Sequence, residues 1–220
     1  MQFLGEMEFS IMCGNYNERL NFWKQQNDDV TGMMCNPDAL ELDVSERTEI
    51  INALPDLKGK QVLELAAGIG RFTTYFASVA EHVTAIDFVD KFIEKNKREC
   101  SNWFNTTHLV ADVMDLNFEN ERFDFVFINW LFMYLMDDEI RILGDRINQW
   151  LKPEGLFFFR ESCVSSSNPN RAHASTQYRD PKFYTDLLMS NFILLSQGNV
   201  AIYERNYENP NQCWWLYQKI

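Results

Sequence analysis

Gln61-Val62-Leu63-Glu64-Leu65-Ala66-Ala67-Gly68-Ile69-Gly70 carries the clearest strand-and-turn signal in the chain. Its first six residues read as a buried strand, and Ala67 to Gly70 read as a turn built from small residues. Helical spacing follows from Arg71 to Ala80. The same alternation repeats outward. Strands are expected at His82–Asp87, Thr106–Asp112, Phe123–Asn129 and Leu156–Glu161, with helices at Asp90–Cys100 and Met136–Leu151. Phe123-Asp124-Phe125-Val126-Phe127-Ile128-Asn129 is nearly continuous in apolar residues, which suits a strand covered on both faces. Pro153-Glu154-Gly155 marks a turn and residues 165–170 a loop. A helix is expected at Pro181–Met189, and strand-like segments at Phe192–Glu204 and Cys213–Lys219.

Strands alternating with helices predict an α/β protein with a doubly wound, mostly parallel sheet. No helical stretch separates the last two strands, so they are expected to form a C-terminal antiparallel hairpin. Upstream, Ser45 reads as the cap of a short helix ended by Pro55, and residues 1–44 show no clean period. The expected organisation is one domain over 1–220. Within it, 1–55 form an N-terminal cap, 56–161 a ligand-binding core, 162–190 a substrate-side insertion and 191–220 the last strands.

Composition narrows the function. Of 220 residues, 46% are hydrophobic and 15% aromatic, enough for a sizeable core without staples. The net charge of −12 argues against nucleic-acid partners and against anionic membrane surfaces, both of which need a basic face. The five cysteines are odd in number, widely spaced and contain no C-x-x-C, so they give neither a zinc pattern nor a disulfide framework. They read as reduced thiols of an intracellular protein. The N-terminus has no basic leader, and no apolar run approaches the ~20 residues of a membrane span. A soluble, cytoplasmic protein is expected.

In such a sheet, ligands bind outside the carboxyl ends of the strands. Glu64, Ala66, Gly68 and Gly70 belong to the first strand end, where small residues let a ligand approach the backbone. Asp87 ends the second strand, placed to accept hydrogen bonds from both hydroxyls of a ribose, with Phe88 beside it. Asp112-Val113 ends the third, where an acceptor beside an apolar residue suits adenine. The spacing Glu64-x-Ala66-x-Gly68-x-Gly70 is not the G-x-G-x-x-G of a dinucleotide loop. Downstream, Arg160, Arg171, Arg179 and Lys182, with the hydroxyls of Tyr178 and Tyr184, make a local basic exception in an acidic chain. Arginine forks and tyrosine hydroxyls match phosphate oxygens, and Lys219 is a further candidate.

The glycine loop is similar to that of class I S-adenosylmethionine-dependent methyltransferases, with Ala66 where those enzymes usually have glycine. Four further segments carry a narrower resemblance. They are Asn129-Trp130-Leu131-Phe132-Met133-Tyr134-Leu135, Phe159-Arg160-Glu161-Ser162-Cys163, Tyr178-Arg179-Asp180-Pro181-Lys182-Phe183-Tyr184 and Asn211-Gln212-Cys213-Trp214-Trp215-Leu216-Tyr217-Gln218-Lys219. With the Met33-Met34 pair and Gly68–Thr73, they resemble the first methyltransferase domain of the phosphoethanolamine N-methyltransferases of plants and nematodes, from about Asn21 to Ile220. The resemblance implies a class I methyltransferase, Rossmann-like fold with S-adenosylmethionine as cofactor and S-adenosylhomocysteine as product. It implies N-methylation of phosphoethanolamine to phosphomonomethylethanolamine, the first step toward phosphocholine, and a place in a longer two-domain chain. It also implies that Tyr178, Lys182 and Tyr184 cradle the phosphate.

Methylation needs a neutral amine aligned with the sulfonium methyl. Tyr16, Asn129 and Trp130, the catalytic candidates, and Tyr178 are expected near that amine, where aromatic faces also stabilise a cation. Single-domain relatives use a Tyr-His pair, but Met133 stands at the histidine position here, and Phe22 stands where plant relatives have tyrosine. The general base is therefore another residue or water. Glu161 is either an amine or loop contact or a structural acceptor, and His173 lies in the substrate-side segment. No metal cluster is visible, and none is required. Two other readings stay open: a methyltransferase for another small anionic amine or acid, and a non-catalytic cofactor-binding module that regulates a partner.

Overall fold

In the computed structural model, residues 16–36, 38–165 and 176–220 are described. Seven strands form one sheet: β1 (Gln61–Leu65), β2 (His82–Asp87), β3 (Thr106–Val110), β4 (Phe123–Asn129), β5 (Leu151–Ser162), β6 (Phe192–Asn199) and β7 (Gln212–Lys219). Their order is β3-β2-β1-β4-β5-β7-β6. The first five run parallel, and β7 is antiparallel to both β5 and β6. The order reverses between β1 and β4, which opens a crevice at their carboxyl ends.

Helices cover both faces. They are α1 (residues 16–25), α2 (Val30–Met34), α3 (Ala39–Asn52), α4 (Thr73–Val79), α5 (Asp90–Glu99), α6 (Asp137–Trp150), α7 (Pro181–Leu188) and α8 (Ala201–Tyr207). Strand alternation assigns the layers. Leu63, Leu65, Phe157, Phe159, Trp215 and Tyr217 face one core with α6 and α7. Val62, Phe127, Phe158 and Trp214 face the other, with α3, α4 and α8. Each fully buried phenylalanine contributes about 1.5–3 kcal/mol of transfer free energy, and aromatic stacking adds to it. Phe159 lies 4.7 Å from Trp215 at an interplanar angle of 15°.

Three expectations change. Among the described residues, 16–25, 30–34 and 39–44 are helical, and Ser45 sits inside α3 rather than capping it. The expected helix after Ser45 is the later part of α3; its start was not legible because two of its buried positions, Asp43 and Glu46, are acidic, which erases the apolar period. The strand expected over 192–204 stops at Asn199, and α8 stands between β6 and β7. Seven residues with Tyr203 as the one buried side chain give too little period to read as a helix. The two strands still pair antiparallel. β5 begins at Leu151, and its pairing with β4 jumps from Phe123↔Leu151 to Phe125↔Leu156, so Pro153-Glu154-Gly155 forms a bulge within the strand rather than a turn before it. Residues 166–170 of the expected loop lie outside the described residues.

Candidate active site

The turn after β1 leaves the α and β regions at three positions, with φ of 57° at Ala66, 53° at Gly68 and 93° at Gly70. Gly70 has no alternative: a Cβ would lie 2.8 Å from Asn96 Oδ1 and 3.4 Å from its Cα. Ala66 tolerates the left-handed region at roughly 1–2 kcal/mol. The turn is tied to β2 through Asp87, whose Oδ2 accepts the Gly68 N–H at 2.9 Å and whose Oδ1 accepts the Val89 N–H at 2.9 Å.

This turn forms one wall of a cavity with an empty volume of about 1410 Å³, counting its solvent-filled mouth. Glu64, Ala66, Gly68, Asp87, Phe88, Asp112, Val113, Asn129 and Trp130, all expected from sequence, line it. Gly70 shapes the turn from behind. The three carboxylates differ in environment. Burial pushes Glu64 up to about 8, against the pull of a 2.6 Å hydrogen bond from Thr73 Oγ1. Burial also raises Asp87 to about 6, opposed by its backbone donors. Asp112 is raised by burial and caps the turn at Val113–Asp115 by accepting the Met114 N–H at 2.8 Å. A wall of desolvated carboxylates favours a ligand that brings hydroxyl donors and positive charge.

At the end of β4, Trp130 has φ 58° and donates its amide N–H to Arg160 O at 2.9 Å. Its indole N–H faces Ser162 Oγ at 3.1 Å and Gln212 Oε1 at 3.2 Å, which fixes the ring. The next three residues are held by Glu161, whose carboxylate accepts the N–H groups of Leu131, Phe132 and Met133 at 2.9, 2.7 and 3.3 Å. Glu161 is thus a buried structural acceptor, raised to about 7 by burial against those donors.

Behind Trp130 lies a buried ionic cluster. Arg160 is 0% exposed, with its guanidinium carbon 3.7 Å from the Trp130 ring centroid and Nη1 3.4 Å from Glu46 Oε1. Arg71 lines the cavity and pairs with Asp43 at 2.8 Å and Glu46 at 3.4 Å. Arg47 also pairs with Asp43. Three guanidiniums share two carboxylates, leaving one surplus positive charge beside the cavity.

The substrate-side candidates separate. Tyr178 lines the cavity. Arg160 stands behind Trp130 and does not. Arg179 clamps the chain instead, pairing with Asp137 and donating to the carbonyls of Phe132 and Leu135 at 3.0 and 2.6 Å. Lys182 has a 75% exposed side chain paired with Asp186 at the start of α7. Tyr184 is 0% exposed, packed between Phe132, Phe159 and Trp215. Lys219 donates to Leu151 O at 2.7 Å, at the amino end of β5 and so at the opposite edge of the sheet from the cavity. The segment around Tyr178 runs into a helix start, so side chains a few residues apart point in different directions. Tyr16 packs edge-on to Phe88, 6.3 Å between ring centres, outside the cavity lining, and burial and Asp112 raise its phenol. Arg171 and His173 lie outside the described residues.

Sequence reasoning missed Arg19, Trp23, Arg71 and Tyr134 among the lining. Arg19 reaches from α1 to Glu139, 3.2 Å away, and to the Tyr134 carbonyl. Its signal was absent because α1 itself was not read. Arg71 follows the glycine turn directly and was legible as the only charge there. The free cysteines among the described residues are Cys35, Cys100, Cys163 and Cys213, and no group of three or more His, Cys, Asp or Glu there could hold a metal. No helix among them is long and apolar enough to cross a membrane.

Comparison with known proteins agrees with this fold. A family model described as a methyltransferase domain matches residues 62–155. Phosphoethanolamine N-methyltransferase 3 of Arabidopsis thaliana is 42% identical over 216 residues, 91% of this chain and 44% of that protein. Phosphoethanolamine N-methyltransferase 1 of Caenorhabditis elegans is 34% identical, over 91% of this chain and 47% of that protein. The solved structure of Haemonchus contortus phosphoethanolamine N-methyltransferase 1, in complex with phosphoethanolamine and S-adenosylhomocysteine, superposes with a TM-score of 0.88 at 30% identity, covering 94% of this chain and 49% of that one. The chain spans about half the length of the relatives it matches. The fold is that of the class I methyltransferases.

Proposed function

We infer that the chain is a methyltransferase domain of the phosphoethanolamine N-methyltransferase family, and we propose that it methylates the amine of phosphoethanolamine, giving phosphomonomethylethanolamine. The observation that carries this reading is the cavity itself. A wall of desolvated carboxylates faces Trp130 and Tyr178, with a surplus guanidinium charge behind Trp130.

The residues fit S-adenosylmethionine. Asp87 is held by the backbone N–H groups of Gly68 and Val89, with that of Phe88 also facing it, and keeps acceptor capacity toward the hydroxyls of a ribose. Asp112 and Val113 offer an acceptor and an apolar face to adenine, flanked by Phe88. Glu64 offers its carboxylate to a cationic amino group. When bound, S-adenosylmethionine supplies a methyl group on a cationic sulfur. The rest is done by the chain. Asn129 and Trp130 form the wall beyond the glycine turn, and Glu161 fixes the loop that follows them. Met133 takes no proton, and Glu64 and Asp87 serve the cofactor, so the substrate ammonium gives its proton to water or to another group of the lining before transfer. Arg71 and the buried Arg160 attract the phosphate dianion, and Tyr178 donates its hydroxyl to it. Arg179 and Tyr184 support the fold of this region rather than the phosphate, and Lys219 lies away from it, at the amino end of β5.

The test is methyl transfer from labelled S-adenosylmethionine by the purified chain, offered phosphoethanolamine, ethanolamine and other small amines and acids. Turnover restricted to phosphoethanolamine supports the reading. Turnover on an unphosphorylated amine redirects the substrate class, and cofactor binding without turnover on any substrate favours a regulatory module.

A further inference from the structure

Glu64 is the end of a directed hydrogen-bond chain. Its Oε2 lies 2.6 Å from Thr73 Oγ1. Thr73 Oγ1 also receives Asn96 Nδ2–H at 2.9 Å, so its own single proton is left for Glu64. The orientation of the Asn96 amide is fixed on both sides. Nδ2 also faces the carbonyl of Gly68 at 3.4 Å, while Oδ1 faces His108 Nε2 at 3.0 Å and the Cys100 thiol at 3.4 Å. A flipped amide would set its oxygen against the Gly68 carbonyl. His108 therefore donates from Nε2, and burial keeps its imidazole below its usual pKa. Thr73, Asn96 and Cys100 are buried, so no water competes for these bonds. Every donor from His108 through Asn96 and Thr73 points toward Glu64, and the other charged group facing Glu64 is Asp87.

We propose that Thr73 and Asn96 are positioning residues for the cofactor: they hold the Glu64 carboxyl toward a cationic amino group and favour its ionisation when that group binds, and so set the recognition of the amino-acid end of the ligand. The inference rests on the cofactor reading above. The Thr73 hydroxyl donates to Glu64 and is worth more to a charged acceptor than to a neutral one, so the chain favours the ionised form against the burial that opposes it. The chain also reaches the glycine turn, since Asn96 is the side chain that excludes a Cβ at Gly70. Asn96 alone thus couples turn shape to Glu64, whereas Thr73 touches Glu64 without filling the space above Gly70.

Thr73→Val, which keeps the shape and loses the proton, separates the two roles. Titration calorimetry of the wild type, Thr73→Val and Thr73→Ser from pH 6 to 9.5 uses two probes: S-adenosylhomocysteine, and 5′-methylthioadenosine, which lacks the amino-acid end. A hydrogen bond to a charged acceptor corresponds to about tenfold or more in affinity. Thr73→Val is expected to weaken S-adenosylhomocysteine about tenfold, to move the pH midpoint of its binding upward, and to leave methylthioadenosine within twofold. Thr73→Ser restores both affinity and midpoint. Equal weakening of both probes, or an unchanged pH midpoint, overturns the inference and makes Thr73 a packing residue. Failure of the wild type to bind either probe overturns the cofactor reading itself, and this inference with it.

Discussion

Replacing Glu64 by glutamine is predicted to stabilise the free protein while crippling cofactor binding. Burial raises the Glu64 carboxyl from 4.5 to about 8 in the folded chain. Between those values the folded protein holds the proton and the unfolded chain has released it, so stability falls as pH rises through that window. Each unit corresponds to about 1.36 kcal/mol, so at pH 7.5 the ceiling is ~4 kcal/mol. Partial relaxation around the site brings the expected gain of the Glu64→Gln variant to ~2–4 kcal/mol at pH 7.5–8, falling to within ~0.5 kcal/mol at pH 4.5. For a chain of this length that is about 5–10 °C in melting temperature. The amide keeps an acceptor for the Thr73 hydroxyl, which lies 2.6 Å from the present carboxylate oxygen, so no buried donor is orphaned. Glu161, also raised by burial, is common to both proteins and cancels in the difference, whereas Asp87 faces Glu64 and is relieved of a like charge in the variant, which adds to the gain at high pH. The assay is paired urea or thermal unfolding from pH 4.5 to 8.5 without ligand, followed by S-adenosylhomocysteine titration, where the variant should bind at least tenfold more weakly. A stability difference that does not grow with pH, or a variant less stable than the wild type at pH 8, would refute the reasoning.

Other predictions follow from placement. Tyr178→Phe should raise the phosphoethanolamine KM about five- to tenfold, as for loss of one charge-assisted hydrogen bond, with S-adenosylhomocysteine affinity unchanged by calorimetry. Lys182→Ala should leave that KM within twofold and cost under ~0.5 kcal/mol in urea unfolding, since its ion pair with Asp186 is solvated. A large KM effect there would mean that the lysine swings into the cavity in the complex. Gly70→Ala combines a positive φ with a Cβ 2.8 Å from Asn96 Oδ1 and should cost about 2–4 kcal/mol, visible as a lowered denaturant midpoint with weaker cofactor binding.

The cofactor half of the site was legible because it is written on strand ends. Asp87 and Asn129 each close a short apolar strand, Glu64 is the last residue but one of β1 and Asp112 follows β3 by two residues, and a parallel sheet brings such ends to one crevice. The substrate half was read by residue type alone, and type does not give direction. Arg160 and Lys182 are both cations in one stretch, yet the first is sealed behind Trp130 and the second lies in solvent. The buried acids Asp43 and Glu46 hid the start of α3 and, with it, the partners of Arg71 and Arg160. A charged residue on a buried helix face breaks the apolar period, and its compensation comes from residues that are distant in sequence.

The most direct test is calorimetric titration with phosphoethanolamine and, separately, with ethanolamine, each in saturating S-adenosylhomocysteine. The account predicts binding of the phosphorylated amine and none measurable for ethanolamine at the same concentration. Equal binding of both, or binding of neither to a chain that holds S-adenosylhomocysteine, would contradict the assignment of phosphoethanolamine as its substrate.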